Sequence, residues 1–434
     1  GVLSHRGPLA AQDTEPRLSA MIEKVAHRGP DGVGTLVRGP IGFAHRRLAI
    51  IDLNERSAQP MSSSDGAVCV TFNGEIFNFP ELRAELERRG CRFRTESDTE
   101  VLIHGWRVWG RDLVSRLRGM FAFALWDDGA KVLFLARDRF GKKPLFYWSS
   151  RDLFVFGSEI KSILQWPGVP RQANLAAIHD YLTFHYCIGR QSAFEEIGKL
   201  PPAHTLELTP GGKPVLRRYW RLAPVDAERF AKLSDDALAA ELVERLDDAI
   251  RCRLISDVPL GAFLSGGVDS SAVVARMSRM MVEPVKTFSV GFAVEGYDET
   301  PYAEAVAERF GTDHRSFFMN HSLVEELPRL VWFYGEPYAD SSALVTFALA
   351  REIRKHVTVA LTGDGGDEMF LGYGRYLRFR DFMLEWETGR APALPYASVL
   401  PLDSAPKIRD YYARMISSFR DCLLYTSDAA DDLT

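Results

Sequence analysis

Two short runs in the second half of the chain put hydroxyls, glycines and carboxylates where phosphate chemistry needs them. In Ser265-Gly266-Gly267-Val268-Asp269-Ser270-Ser271, the glycines let backbone N–H groups approach an anion closely, and three hydroxyls add donors. The apolar stretch Gly261 to Leu264 precedes the run and a helical pattern follows it, so a helix N-terminus would face the same anion. Asp269 would repel a bare phosphate, and an acid inside such a cradle implies a divalent cation between them. The run lacks the lysine of G-x-x-x-x-G-K-[ST] and the spacing of G-x-G-x-x-G, so neither a Walker loop nor a dinucleotide loop is expected. A tight glycine turn with a serine cap is the alternative, and for Asp269 the alternative is that it merely caps a helix starting near Ser270. Further on, Thr362-Gly363-Asp364-Gly365-Gly366-Asp367-Glu368 follows the apolar run Val357 to Leu361. Three carboxylates among three glycines after a strand suit a metal or reaction site at the C-terminal edge of a parallel sheet; taken alone, the loop also reads as a solvated turn.

The first half carries a second set, in this order: His27-Arg28-Gly29-Pro30-Asp31, His45-Arg46-Arg47-Leu48-Ala49-Ile50-Ile51-Asp52, Asn73-Gly74-Glu75-Ile76-Phe77-Asn78 and Ser97-Asp98-Thr99-Glu100. Arg47 offers a planar fork for a carboxylate. Glu75 and Asp98 could hold an α-ammonium, and Asn73 with the Gly74 N–H suits an oxyanion. Each motif alone reads more readily as a turn or surface patch than as a site.

Positioning these residues requires two kinds of scaffold. Up to about residue 160 the pattern is β-rich, with strands expected at Ala67 to Phe72, Met120 to Trp126 and Lys131 to Ala136 and a helix at Glu81 to Arg89. Pro201-Pro202 and Thr209-Pro210-Gly211-Gly212 punctuate the chain and suggest a boundary. Ser234 then reads as an N-cap with Asp235 and Asp236 in the first turn, followed by an apolar stripe of Leu238, Leu242, Leu246, Ile250 and Leu254. Strands at Pro259 to Leu264, Lys286 to Phe292 and Val357 to Leu361 alternate with helices at Ser271 to Met281 and Tyr302 to Phe310, the order of βαβ units and a parallel sheet.

S-G-G-x-D-S followed by G-D-G-G-D-E resembles the synthetase domain of glutamine-dependent asparagine synthetases, which split ATP to AMP and pyrophosphate. The four N-terminal motifs, together with Arg137-Asp138-Arg139-Phe140-Gly141-Lys142-Lys143-Pro144-Leu145, resemble class II glutamine amidotransferase domains. The resemblance implies an α+β N-terminal-nucleophile-type glutaminase domain, an αββα sandwich, over residues 1–212. An α/β parallel-sheet domain like the adenine nucleotide α-hydrolases is implied over 213–421. It implies glutamine contacts from Arg47, Leu48, Ala49, Ile50, Ile51, Asn73, Gly74, Glu75 and Asp98, with Asn73 and Gly74 also catalytic. ATP contacts are implied for Leu264, Ser265, Gly266, Gly267, Asp269, Ser270, Val290, Thr362 and Gly363, with Asp269 and Asp367 holding Mg²⁺. Asp364 matches the acidic position tied to the acyl-adenylate step, where many asparagine synthetases carry Glu. The family begins Cys-Gly-Ile-x-Gly, its thiol attacking glutamine with its own α-amine as base; Gly1-Val2 aligns with the end of that motif, so the nucleophile is expected about four residues upstream of Gly1. Residues 422–434 back-translate into a sequence resembling a transposase adapter used in shotgun sequencing, so the reading frame is expected to enter adapter DNA near Cys422.

The expected function is ATP-dependent amidation of a carboxylate, aspartate first, by ammonia from glutamine through a mostly apolar internal passage. A relative that amidates another carboxylate, such as a sugar acid, is the enzymatic alternative; a noncatalytic glutamine or nucleotide sensor is the other. The expected ligands are glutamine, ATP, Mg²⁺ and the acceptor, in a cytoplasmic protein, with a homodimer as the assembly to test. With 53 Lys+Arg against 58 Asp+Glu, the net charge is −5, and no basic stripe points to nucleic acid. No apolar run approaches the ~18 residues of a membrane span. The five cysteines have neither zinc nor redox-motif spacing.

Overall fold

The computed structural model describes residues 1–292, 298–319, 323–340 and 342–387; the adapter-like residues 422–434 lie outside these. The first domain is built on two six-stranded antiparallel sheets. One runs, edge to edge, Gly198–Lys199, Phe146–Ser149, Leu153–Gly157, Val2–Ser4, Ile41–Arg47 and Gly32–Arg38. The other runs Val215–Arg218, His204–Leu208, Val132–Arg137, Gly119–Asp127, Val68–Ile76 and Met61–Ser62.

The period-2 alternation of side chains explains why the central strands read as continuous apolar runs: both faces are covered. Along Gly119–Asp127, Ala122, Ala124 and Trp126 face the other sheet, packing with Leu3, Phe43 and Phe154. Phe121, Phe123 and Leu125 face outward onto Leu82, Leu86, Leu102 and Trp106, from the helices Phe79–Arg88 and Thr99–Trp109. The outer face of the first sheet is covered by Leu18 and Met21 of the helix Ala11–Glu23 and by Ile160 and Ile163. The layers are therefore helix, sheet, sheet, helix, the expected αββα sandwich. The boundary expected at 212/213 lies in a hairpin whose return strand, Val215–Arg218, pairs back onto His204–Leu208. Tyr219 then packs against the helix-side core and donates its hydroxyl hydrogen to the Arg137 carbonyl at 2.9 Å. Gly211-Gly212 marks a tight turn within the sandwich, not its end.

The second domain opens with the helix Asp235–Arg251, capped as expected by Ser234, whose hydroxyl accepts from the Ala237 N–H. Its apolar stripe buries only toward the C-terminal end: Ile250 is core while Leu242 stays exposed. A four-stranded parallel sheet follows in the order Asp313–Met319, Lys286–Phe292, Leu260–Phe263, Val359–Leu361. Ala262, Leu264, Val274 and Met277 form one core, and Phe288, Leu349, Ile353 and Val357 another. The strand order reverses between Leu260–Phe263 and Val359–Leu361, a topological switch point where open α/β sheets bind ligands. These neighbours are parallel, so the loops leaving their C-terminal ends emerge side by side. Among the described residues no helix is long and apolar enough to cross a membrane.

Candidate functional site

A cavity of about 470 Å³ in the first domain gathers most of the N-terminal motif residues: Arg47, Leu48, Ile50, Ile51, Asn73, Gly74, Glu75 and Asp98 all line it. Ala49 does not; its N–H donates to the Asp31 carboxylate at 2.9 Å. Arg47 projects from the end of Ile41–Arg47 into the turn that follows. Its guanidinium donates to the carbonyls of Asn54 (3.0 Å), Ile51 (3.3 Å) and Asp52.

Asn73 and Gly74 lie on Val68–Ile76. The Asn73 Nδ2 is buried without a hydrogen-bond partner, a costly arrangement that a ligand oxygen would relieve. Gly74 sits at φ +153°, and a Cβ there would lie 2.1 Å from the Met120 carbonyl oxygen; the strand pairing admits only glycine. Two buried carboxylates complete the cavity. Burial, then the neighbouring Asp98, pushes the Glu75 carboxyl up to about 7, against Lys143 and Arg253. Burial likewise pushes Asp98 up to about 6, against the Ile76 N–H (2.9 Å) and the Ser97 hydroxyl. Such a pair gains from a ligand ammonium, which favours both charged forms.

Two further groups, Lys143 and His45, line the cavity without a role readable from the sequence. Burial, reinforced by Arg28, pulls the Lys143 ammonium down while Glu75 opposes it. Burial and then Arg47 hold the His45 imidazole down at about 4, so it is neutral, its Nδ1 sharing a hydrogen bond with Thr71 Oγ1 at 3.2 Å. Both lie inside runs quoted for their resemblance, which was the available signal. Gly1 also lines the cavity.

A second cavity, about 810 Å³, opens at the switch point of the parallel sheet. Leu264, Ser265, Gly267, Asp269, Ser270, Val290, Thr362, Gly363, Asp364 and Asp367 line it. Gly266 does not: at φ +82° it faces Tyr302, whose Cβ would lie 2.4 Å from an added Cβ. The helix starts at Val268, three residues earlier than the pattern suggested, with Gly267 as N-cap and no side-chain cap bond. Asp269 is thus in the first turn and is not the cap, which removes the capping alternative. Ser265 and Ser270 hydroxyls bond each other at 3.0 Å and hold the loop, and Ser271 lies outside the cavity lining, so the three hydroxyls are not all free donors.

The two loops touch at Asp269. A Cβ on Gly366 would fall 2.2 Å from Asp269 Oδ2, and one on Gly363 would fall 2.9 Å from the Ser270 nitrogen. Glycine at these positions is what allows the phosphate-type loop and the carboxylate loop to close. Among the described residues no three His, Cys, Asp or Glu side chains are placed to hold a metal unaided. Asp269 and Asp367 share the cavity, and one or two carboxylates completed by phosphate oxygens is how Mg²⁺ is commonly held, so the donor set fits that ion. Glu299, Phe370 and Tyr373 line the cavity as well, the Tyr373 hydroxyl donating to Glu368 Oε1 at 3.1 Å.

The chain matches known proteins along most of its length. The family model for a glutamine amidotransferase domain matches residues 3–220 and that for asparagine synthase matches 241–418. A putative glutamine-hydrolyzing asparagine synthetase 2 of Methanocaldococcus jannaschii is 35% identical over 383 residues, 83% of this chain and 73% of that protein. The chain belongs to the glutamine-hydrolysing asparagine synthetase family. Within the family, asparagine synthetase 1 of Bacillus subtilis (strain 168) is 38% identical over 86% of this chain, which spans 58% of that relative's length. A protein named amidase chry2 of Gibberella zeae is 31% identical over 84% of this chain and 56% of its own length.

Proposed function

We propose that the full-length protein is a cytoplasmic, glutamine-hydrolysing asparagine synthetase. Support comes first from the two cavities of one chain: one pairs Arg47 with a buried carboxylate couple and an orphaned amide donor, and the other closes a serine-glycine loop onto an acidic loop. In the first cavity Arg47 takes the α-carboxylate of glutamine, Glu75 and Asp98 take its α-ammonium, and Asn73 Nδ2 with the Gly74 N–H receives the oxyanion. A thiol nucleophile would attack the glutamine side-chain amide in this cavity, which Gly1 also lines. Cys69 does not qualify: it is fully buried between the sheets, and burial pushes its thiol up to about 12.

In the second cavity, Leu264, Ser265, Gly267 and Ser270 hold the ATP phosphates beside Val290, Thr362 and Gly363. Mg²⁺ held by Asp269 and Asp367 would neutralise phosphate charge. The acceptor carboxylate attacks the α-phosphorus and releases pyrophosphate, with Asp364 at the acyl-adenylate. Ammonia, delivered through the protein, displaces AMP and forms the amide. The net balance is aspartate, glutamine, ATP and water in, and asparagine, glutamate, AMP and pyrophosphate out. A homodimer is the assembly proposed.

The test is a screen of carboxylates for pyrophosphate release by the complete gene product, with glutamate measured alongside. Aspartate-dependent release of AMP, pyrophosphate and glutamate in equal amounts is expected. Release with a sugar acid and not with aspartate would replace the acceptor, an outcome worth including because an amidase by name is among the relatives.

A further inference from the structure

The turn that holds Arg47 is hydrogen-bonded in both directions to the second domain. The Asp52 N–H donates to Asp257 Oδ2 at 2.7 Å, and the Asp257 N–H donates to the Ile50 carbonyl at 3.0 Å. On the glutamine side, this turn supplies the three carbonyls that fix the Arg47 guanidinium. Asp52 adopts φ +52°, a left-handed conformation uncommon outside glycine, so the turn is held by its contacts. Burial opposes ionisation of Asp52, but hydrogen bonds from Ser57 Oγ (2.6 Å), Asn54 Nδ2 (2.7 Å) and the Glu96 N–H (2.8 Å) outweigh it and keep the carboxylate charged. The Glu96 bond ties the turn to the segment that carries Asp98.

On the nucleotide side, Asp257 lies three residues before the strand Leu260–Phe263, whose far end is the Ser265 loop. The Pro259 carbonyl accepts from the Thr358 and Val359 N–H groups at 2.9 and 3.3 Å, joining the start of this strand to that of Val359–Leu361. Asp257 thus lies three residues before one of the two strands whose bases Pro259 joins, and the strand tips that form the nucleotide cavity are roughly 13 Å farther along at 3.3 Å per residue.

We propose that Asp257 is a positioning residue that couples the two sites: nucleotide binding at the strand tips shifts the strand bases, and the Asp257 contacts pass that shift to the turn that sets Arg47. This rests on the function proposed above. Coupling between sites is reciprocal, so ATP should tighten glutamine by the factor by which glutamine tightens ATP.

The experiment compares the full-length protein with Asp257→Ala, which loses the acceptor, and Asp257→Asn, which keeps a carbonyl oxygen there. Backbone hydrogen exchange over residues 50–54 is followed with and without ATP and Mg²⁺, and synthesis is measured with glutamine or with ammonium as nitrogen source. In the wild type, ATP should slow exchange over 50–54. Asp257→Ala should abolish that effect, raise the glutamine KM about fivefold, at the low end of typical coupling, and lower glutamine-driven synthesis relative to ammonium-driven synthesis. Asp257→Asn should restore all three. Exchange that ignores ATP in the wild type would overturn the proposal. So would an Asp257→Ala protein in which glutamine- and ammonium-driven rates fall by the same factor, since that marks a purely structural role. A wild type that hydrolyses no glutamine refutes the function proposed above, and the exchange data then decide the coupling alone.

Discussion

Gly366→Ala should separate the chemistry of the nucleotide cavity from the stability of the fold. Gly366 opens the short helix Gly366–Phe370, where alanine is the better helix former by about 1 kcal/mol. Its φ is not in the left-handed region, so the backbone accepts a side chain. The new methyl would lie 2.2 Å from Asp269 Oδ2 and 2.3 Å from its Cγ. The carboxylate is the end of a flexible side chain and can swing aside, so unfolding stability should change little or rise. The swing moves Asp269 by about 1 Å, and a misplacement of that size in a reacting constellation can cost on the order of 100-fold, equivalent to about 2.7 kcal/mol of barrier. In the complete protein, ATP-dependent pyrophosphate release should therefore fall about 100-fold while glutamine hydrolysis is retained. Gly374→Ala is the control, because nothing lies within 4 Å of a Cβ there, and it should be silent in both assays. Pyrophosphate release within twofold of wild type in Gly366→Ala would refute the placement of Asp269 at the reacting phosphates.

Four further outcomes are expected of the complete protein. Asn73→Ala should lower glutaminase kcat by about 100-fold, as loss of one oxyanion donor does, without lowering the melting temperature, since the amide it removes is buried and unpartnered. Glutamine KM should rise as pH falls below about 7, because protonating Glu75 and then Asp98 removes the charges that hold an α-ammonium; Glu75→Gln should flatten that rise, and a KM constant from pH 8 to 5.5 would contradict it. Arg47→Lys should raise glutamine KM despite the retained charge, because a compact ammonium cannot span three carbonyls and a ligand carboxylate; unchanged kinetics would mark Arg47 as part of the turn only. Asp269→Asn should abolish pyrophosphate release and spare glutamate release, the readings being taken side by side on one preparation.

Much of both sites was legible because each depends on local chemistry. The loop at Ser265 and the loop at Thr362 are short glycine runs after strands, and their side-by-side placement follows from a parallel sheet. The start of the helix at Val268 was not legible because its cap is Gly267, which has no side chain to announce it. The hairpin return of Val215–Arg218 was missed because strand pairing is non-local, and a Gly-Gly turn looks the same whether the chain stays on a sheet or leaves it. Lys143 and His45 lie within motif runs, but what their side chains face in the first-domain cavity is set by tertiary packing. Arg47 was legible as a fork for a carboxylate; that three backbone carbonyls already hold it depends on the path of the following turn. The contact of Asp257 with Ile50 and Asp52 joins residues far apart in sequence, and no periodicity encodes it.

The strand Val2–Ser4 lies inside its sheet, between Ile41–Arg47 and Leu153–Gly157. During synthesis one of its edges can be covered early, but the other waits for a partner about 150 residues later. At roughly 5–20 residues per second, that is a delay of about 8–30 s. Through that interval the nascent chain displays an open strand edge next to the cavity that Gly1 lines, and pairing it wrongly would seal the glutamine site before it forms. The strand Val2–Ser4 is therefore paired on both sides only once Leu153–Gly157 has emerged. Its yield in the cell should depend on how ribosome speed and chaperone occupancy protect that edge, a dependence that purified, refolded protein does not feel in the same way.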